Sequence, residues 1–346
     1  MAAPSTAITR LDLSLTYSEF SLISNLKKFI GLLVLPALAV EQEAAEFAKI
    51  LISALLTKPE ETKRAPKAEY SRDSWEWTKA SYSLEEHGVE EVVDDATIER
   101  YGDVIRAEQL SALRAVMRIL MRLEYDIAHA VFNTTTWNGA ALTTAVATAF
   151  TNKASADPVA VFDAAHDKVN ASCGQDANTL VITKKGFRSI LRTDRVEGLL
   201  KYDASELMIA LNQGTNQAMV TQVVAGLKEL LGVENILIGR GFQNTANKGQ
   251  TATLARVWDE SMAMLCCVHD DGIDGDLENP MPCIGRTLFS TKNDELLPGA
   301  NDAGIGSLII EEYREERRRG GVLRPRNKRE VKIIHPEAGH LLTGIT

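Results

Sequence analysis

Cysteine is scarce in this chain: Cys173, Cys266, Cys267 and Cys283 are the only four, and no C-x-x-C pair is among them. Their irregular spacing excludes a disulfide-held mini-protein and suits thiols kept reduced in a cytosol. Long hydrophobic runs are missing too. The most membrane-like stretch, Phe29 to Val40, has twelve residues and is interrupted by Pro36, whereas a bilayer crossing needs about 20 apolar residues. Lys27-Lys28 and Ala37-Leu38-Ala39 give it the outline of a signal peptide, but 26 mostly uncharged residues come before it, so it reads as a buried extended segment. The N-x-S/T matches at Asn133 and Asn170 carry no weight without secretion. H-E-x-x-H, G-x-S-x-G and G-x-x-x-x-G-K-[ST] are all absent, which removes the local signatures of zinc peptidases, serine hydrolases and P-loop nucleotidases.

What is present is an ordinary globular composition on a chain of 346 residues, enough for two domains and a sizeable core. A formal charge of −9 argues against a chain built chiefly to neutralise phosphate or to lie on an anionic membrane. Residues 1 to 28 have weak periodicity and read as an arm that orders only against something else, such as another subunit. Glu46 to Leu56 is rich in branched apolar residues and reads as a strand, as does the alternating Ser74 to Leu84. Between them, Thr57 to Arg72 holds Lys58, Lys63, Arg64 and Lys67 with Pro59 and Pro66. Such a polar tip has little to bury, so a projecting hairpin is the simplest arrangement, and it needs a neighbour to rest on.

Asp103 caps the strongest periodic signal, a helix running to about Phe132 through Ile105, Leu110, Leu113, Val116, Met117, Leu120, Leu123, Ile127 and Val131. Arg114, Arg118 and Arg122 recur along another face, with Asp126 one turn further on, and read as a solvated stripe. Thr134 to Thr151 reads as a loop or poorly ordered excursion, and Asp157 with Pro158 opens a short helix. Strands at Leu180–Ile182, Ile236–Ile238 and Met262–Val268 alternate with helices at Lys184–Leu191 and Thr221–Leu230, which makes a mixed domain from about Asn178 to Pro298. Extended patterns return at Ser307–Tyr313 and Glu330–Ile334, flanking an Arg-rich stretch.

Chemistry is thin. Gly239-Arg240-Gly241 follows a strand but has Asn244 where a dinucleotide fingerprint needs its third glycine, so it reads as a turn. The acidic run Asp270 to Asp276 lacks the glycine and the glutamate of an EF-hand loop and reads as a solvated turn. Cys266 and Cys267, with His269 nearby, point to opposite strand faces and read as core. Charge is more informative. Residues 85 to 108 hold nine acids against two bases, and residues 314 to 332 hold nine bases against three acids. The two segments can complement each other within or between subunits, the arginines alone can contact nucleic acid, or both can be unrelated solvated faces.

The order of parts, an arm, a long hairpin, a very long helix, a mixed domain and returning strands, resembles the major capsid proteins of tailed bacteriophages, which share the Hong Kong 97-like fold. Leu35 to Gln42 resembles the end of that family's arm, and Arg64-Ala65-Pro66-Lys67-Ala68-Glu69 its loop tip, although Lys67 stands where relatives often have glycine. Tyr82 to His87 and Val92 to Asp95 are similar to the loop's return path. Asn178 to Thr183, Lys184 to Val196 and Leu231 to Ile236 resemble parts of the axial domain.

The resemblance implies an α+β, Hong Kong 97-like fold divided into an N-terminal arm 1–43, an extended β-hairpin loop 44–97, a peripheral domain 98–177 with its spine helix at 103–132, an axial domain 178–300, and returning strands of the peripheral domain 301–346. It implies a structural protein of the virion, made in the host bacterial cytoplasm, with no catalytic residue, cofactor or metal and no membrane contact. Partners would be other copies in homo-hexamers and homo-pentamers, a portal, a decoration protein, and packaged double-stranded DNA touched without sequence preference. A separate scaffolding protein is expected, because arm and hairpin consume the roughly 100 residues before the spine helix. Candidate inter-subunit contacts are Arg64, Lys67, Trp75, Trp77, Tyr82, Glu85, Glu86, Arg317, Arg318 and Arg319. Lys63, Lys67 and Lys79 have no evident cross-link partner, so no cross-link is assigned. The alternatives are a bacterial encapsulin-like compartment of the same fold and, from a different class, a cytosolic α/β metal-binding enzyme using the acidic loop.

Overall fold

The computed structural model describes residues 8–9, 29–50, 63, 69, 77–96, 99, 107–201, 217–247, 249–251, 253–269, 282–290 and 308–346. The loop tip with Arg64, Lys67 and Trp75, and the acidic run from Asp270 to Asp276, lie outside the described residues.

The chain opens with strand β1 (Ile8–Thr9), helix α1 (Gly31–Val34), and strands β2 (Ala37–Val40), β3 (Ala44–Ile50), β4 (Trp77–Ser83), β5 (Glu85–Gly88) and β6 (Glu91–Asp94). Helix α2 (Ala107–Val131) is followed by β7 (Thr143–Ala145), α3 (Pro158–Cys173), β8 (Thr179–Thr183), α4 (Lys184–Leu191), α5 (Asp194–Leu200) and α6 (Gln217–Leu230). Strands β9 (Asn235–Gly239), β10 (Phe242–Asn244), β11 (Leu254–Arg256), β12 (Met262–Cys266), β13 (Gly285–Ser290), β14 (Ile309–Glu315), β15 (Gly320–Ile333) and β16 (Gly339–Thr343) complete it.

The apolar repeat makes α2 a helix of 25 residues, about 37 Å long. Ala115, Val116, Ile119, Leu123, Ile127 and Val131 form its buried stripe. Capping sets other helix ends: the Asp157 side chain accepts from Ala160 N ahead of Pro158, and Gly174 in the left-handed region (φ 71°) closes α3. Helix α4 has the residues expected for it, because the Thr183 hydroxyl accepts from Gly186 N and Phe187, Ile190 and Leu191 turn inward.

β15, of 14 residues, is the axis of the first sheet, whose order is β1-β14-β15-β13-β2. β14 pairs along Gly320 to Arg326 and β13 along Arg329 to Ile333 on one edge, while β6 and β5 pair along the other. The second sheet runs β7-β16-β12-β8-β9. All five residues of β8 are buried, as befits a central strand covered on both faces. One apolar core joins the two sheets, since Ile30, Leu35, Leu123, Ile127, Leu180, Met264, Phe289 and Leu341 belong to a single cluster.

Several expectations change. The Phe29–Val40 segment is not one extended run: Ile30, Val34 and Leu35 are buried around the single turn of α1, while Leu33 is 57% exposed. Within residues 1–28, the described strand β1 pairs with β14 of the same chain. Thr134 to Thr151 is anchored by buried Trp137 and Phe150 and contributes β7. The Arg-rich stretch lies within β14, its turn and β15 rather than between two strands. Sheet membership also cuts across the boundaries at 177/178 and 300/301: β13 joins the first sheet, and β7 and β16 join the second. A strand pairs wherever its hydrogen-bonding edge finds a partner, so contiguity in sequence does not decide its sheet.

A buried carboxylate fixes the arm's root. Glu124 of α2, 2% exposed, accepts from Ile30 N at 3.0 Å, Gly31 N at 2.7 Å and Trp258 Nε1 at 2.6 Å. Burial raises its pKa, and these three donors offset the penalty. Gly31 is required there, because a Cβ would stand 2.7 Å from the Glu124 carboxylate. Replacing Glu124 by Ala leaves three buried donors unpaired and should cost about 3 kcal/mol of unfolding free energy by urea denaturation. Glu124→Gln should fall between the two, and equal midpoints for all three would show that the bonds contribute nothing.

Candidate assembly interface

The hairpin formed by β3 and β4 runs in register from Ala44 opposite Ser83 to Ile50 opposite Trp77. Because side chains alternate, Ala45, Phe47, Lys49, Ala80 and Tyr82 sit on a half-buried face, and Trp77, Lys79, Ser81 and Ser83 lie on an exposed one. Phe47 and Tyr82 stack across the strands at 6.4 Å between ring centroids. Trp77 is 57% exposed, and beside it Lys79 pairs with Glu46 at 3.1 Å. Three polar contacts tie this two-stranded ribbon to the rest of the chain: Ser83 N to Glu330 Oε2 at 2.6 Å and Lys328 to Glu43 at its root, and Lys49 to Glu337 at 3.3 Å further along. Burial opposes the Glu337 charge, but the hydrogen bonds from His335 and its own backbone N–H, with the Lys49 ammonium beside it, hold the carboxyl down at about 2.

The acidic and basic segments meet inside the chain. β5 and β6 lie along β15, and the register sets Glu86 opposite Lys328 and Glu85 opposite Arg329. Arg314 grips Asp95 with two bonds of 2.7 and 3.2 Å, which lower the Asp95 pKa. Glu311 is the hub. Its Oε2 accepts from Arg324 and its Oε1 from Arg326, at 2.5 to 3.0 Å. Burial opposes its charge, yet the two guanidiniums together hold the carboxyl below its ordinary value. Glu90 receives Tyr313 Oη at 3.0 Å, and Glu91 receives Arg118 at 3.0 Å and Arg114 at 3.4 Å. The α2 arginine stripe is therefore a strap onto β6 as well as a solvated face.

Alternation along β15 turns Leu323, Pro325, Asn327 and Arg329 into the protein and Arg324, Arg326 and Lys328 outward. Arg329 is 1% exposed; it reaches Asp126 at 3.3 Å and Ile119 O at 3.4 Å, and burial depresses its pKa to about 10. Its Nε and the Asn327 Oδ1 have no partner among the described residues. A cavity of about 230 Å³ adjoins it, lined in part by Glu85, His87, Arg122 and Asp126. Burial, then Arg329, also lowers the His87 pKa.

Of the contact residues expected from sequence, Trp77 and Tyr82 lie on the hairpin, Glu86 stands 3.8 Å from Arg326, and Glu85 lines the cavity. Arg317, Arg318 and Arg319 form the exposed turn between β14 and β15. Arg319 sits in the left-handed region at φ 44°, and Arg318 lies 3.6 Å from Glu315. Sequence reasoning missed Glu124, Glu311 and the buried Arg329. The signal for the last was the alternation of Arg324, Arg326 and Lys328 with Pro325, Asn327 and Arg329. Among the described residues no group of His, Cys, Asp or Glu is arranged to hold a metal, no helix is long and apolar enough to cross a membrane, and all four cysteines are free and buried.

Three solved structures share this architecture along almost their whole length. A phage-related protein from Bordetella bronchiseptica superposes with a TM-score of 0.66 at 17% identity, covering 98% of each chain. A candidate capsid protein of a prophage in Escherichia coli gives 0.54 at 11%, over 98% of this chain and 99% of that one. A virus-like particle from Pyrococcus furiosus gives 0.52 at 12%, over 95% and 99%. No protein-family model and no curated protein matches the chain. The fold is the α+β, Hong Kong 97-like fold.

The Glu311 bridge has a measurable consequence. Glu311→Ala leaves Arg324 and Arg326 side by side without their shared anion and should cost about 2 kcal/mol in urea denaturation near pH 7. Because the folded-state pKa of Glu311 is lowered, its contribution is complete above the ordinary value of 4.5 and fades as pH falls through the folded pKa. The gap between wild type and variant should therefore shrink in acid. A gap independent of pH would exclude the charge-based account.

Proposed function

We propose that the chain is a structural shell protein: copies associate as hexamers and pentamers and close into an icosahedral shell around bacteriophage double-stranded DNA. The observation that carries this reading is the β3–β4 hairpin, whose face of Trp77, Lys79, Ser81 and Ser83 is exposed along its full described length. A two-stranded ribbon is marginal in water, and the side chains on the exposed face of this one have no partner among the described residues beyond the Lys79–Glu46 pair within the ribbon. Burying the Trp77 ring on a neighbour supplies roughly 25 cal/mol per Å² of apolar surface before ordering costs. The full-length likeness to the phage-related protein supports the reading.

In this reading the chain performs no chemistry, and its mechanism is self-assembly in the host bacterial cytoplasm, ending in the virion. Trp77 and Tyr82, with Arg64, Lys67 and Trp75 of the loop, contact neighbouring subunits, and the Arg317–Arg319 turn serves a second contact. Glu85 and Glu86 stay within the subunit. A scaffolding protein, a portal and a decoration protein are the partners such a shell requires. DNA is met by exposed bases without sequence preference, with the salt sensitivity that phosphate contacts bring. An encapsulin-like compartment differs only in its cargo.

Electron microscopy of the chain co-expressed with its genomic neighbours should show closed shells of uniform size that release double-stranded DNA on extraction, whereas uniform closed shells from the chain alone would remove the separate scaffolding protein. Protein cargo without DNA would assign a compartment instead. Species no larger than small oligomers under every condition would refute the shell. Trp77→Ala should lower particle yield by about tenfold with an unchanged circular dichroism spectrum. Wild-type yield would remove the hairpin face from the interface.

A further inference from the structure

The second sheet carries opposite charge at its two ends. β8 and β9 run parallel, Thr179 beside Asn235 and Thr183 beside Gly239, so residues that follow both strands share one end and residues that precede both share the other. At the following end stand Lys184 and Arg188 of α4, Arg240 after β9, and Arg256 of β11. Burial and then Arg188, Arg240 and Arg256 lower the Lys184 pKa, with no anion among the groups acting on it. Glu260 faces the cluster, pairing with Arg256 and lying 3.4 Å from Lys185. Lys184 and Arg240 have no ion pair among the described residues.

The β10–β11 hairpin adds apolar surface at this end. Phe242 lies opposite Arg256 and Asn244 opposite Leu254, so Phe242, Leu254 and Arg256 share a face. Phe242 is 49% exposed and Leu254 70%, and the Arg256 guanidinium sits 4.6 Å from the Phe242 ring centroid. At the preceding end three acids are exposed. Asp176 and Glu234 flank the starts of β8 and β9, and Glu229 ends α6. Glu234 N and Asn235 N both donate to Asn178 O, which holds this end together. Lys228 is the base beside it in sequence and is half-buried.

A body with cations and apolar groups at one end and anions at the other is complementary to itself head to tail, and head-to-tail contacts close into rings where the rotation between copies closes and into open filaments where it does not. We propose that the Lys184, Arg188, Arg240 and Arg256 surface, with Phe242 and Leu254, docks on the Asp176, Glu229 and Glu234 end of a second copy. The role of this contact in ring closure rests on the shell reading; the contact itself does not. A phosphate backbone would match the cations but leave Phe242 and Leu254 in water, which favours a protein partner.

The test reverses each end and then both. The basic-end pair is Lys184→Glu with Arg240→Glu, and the acidic-end pair is Glu229→Lys with Glu234→Lys. Circular dichroism checks folding, sedimentation velocity reads self-association, and electron microscopy reads particles. Each pair alone should weaken self-association by at least about tenfold at low salt, and mixing the two reversed proteins should restore it. Wild-type association by either reversed pair, or no rescue on mixing, overturns the contact. Loss of binding to double-stranded DNA with association intact also overturns it and assigns the surface to nucleic acid. Particles formed normally by both reversed pairs would leave the shell standing and remove only this contact. A wild-type chain that self-associates head to tail without forming particles would remove only the shell.

Discussion

A strand with five basic residues can occupy the middle of a sheet only if anions are brought to it. β15 carries Arg324, Arg326, Lys328, Arg329 and Lys332, and much of the first half of the molecule is arranged around meeting that requirement. β5 and the turn that follows it deliver Glu86 and Glu90 on one edge, β14 delivers Glu311 on the other, and α2 sends Asp126 to Arg329. The hairpin root is fastened to the same strand through Glu43 and Glu330. Exposed ion pairs are individually weak, but the Glu311 bridge is largely enclosed and each partner holds two bonds, which places it among the stronger kind.

This arrangement divides the charge of the subunit into two uses. The bases of β14 and β15 meet acids of their own chain, Asp95, Glu311, Glu43 and Asp126 among them, so they rigidify a body rather than advertise it to a partner. What remains outward is the β14–β15 turn, the exposed face of the hairpin, and the two ends of the second sheet. Those surfaces differ in chemistry: a row of arginines, a ribbon face bearing an exposed tryptophan, and a cationic end set against an anionic one.

The sequence revealed elements whose burial is simple. The α2 stripe and the α4 limits at Lys184 and Leu191 could be read from the sequence, because each helix has one wet and one dry face. Only the end of β15, from Glu330, could be read as extended: upstream its inward face holds Asn327 and Arg329 and its outward face is charged, so alternation of polarity disappears although alternation of burial remains. The turn of α1 was hidden in an apolar run that fits helix and strand equally. Glu124 looked like any acid on a helix. Its partners Ile30, Gly31 and Trp258 lie 93 to 134 residues away, and no local pattern reports contacts of that range. The sheet exchange of β13 and β16 escaped for the same reason.

The central claim is that charge pairing around β15 is internal to the subunit, leaving the hairpin face for a neighbour. A side-chain-resolution map of the assembled particle tests it directly. The account predicts Glu311 between Arg324 and Arg326 of its own chain, Asp95 on its own Arg314, and Trp77 buried against a second copy. Acids of one subunit on β15 of another, or Trp77 in open solvent, would contradict it.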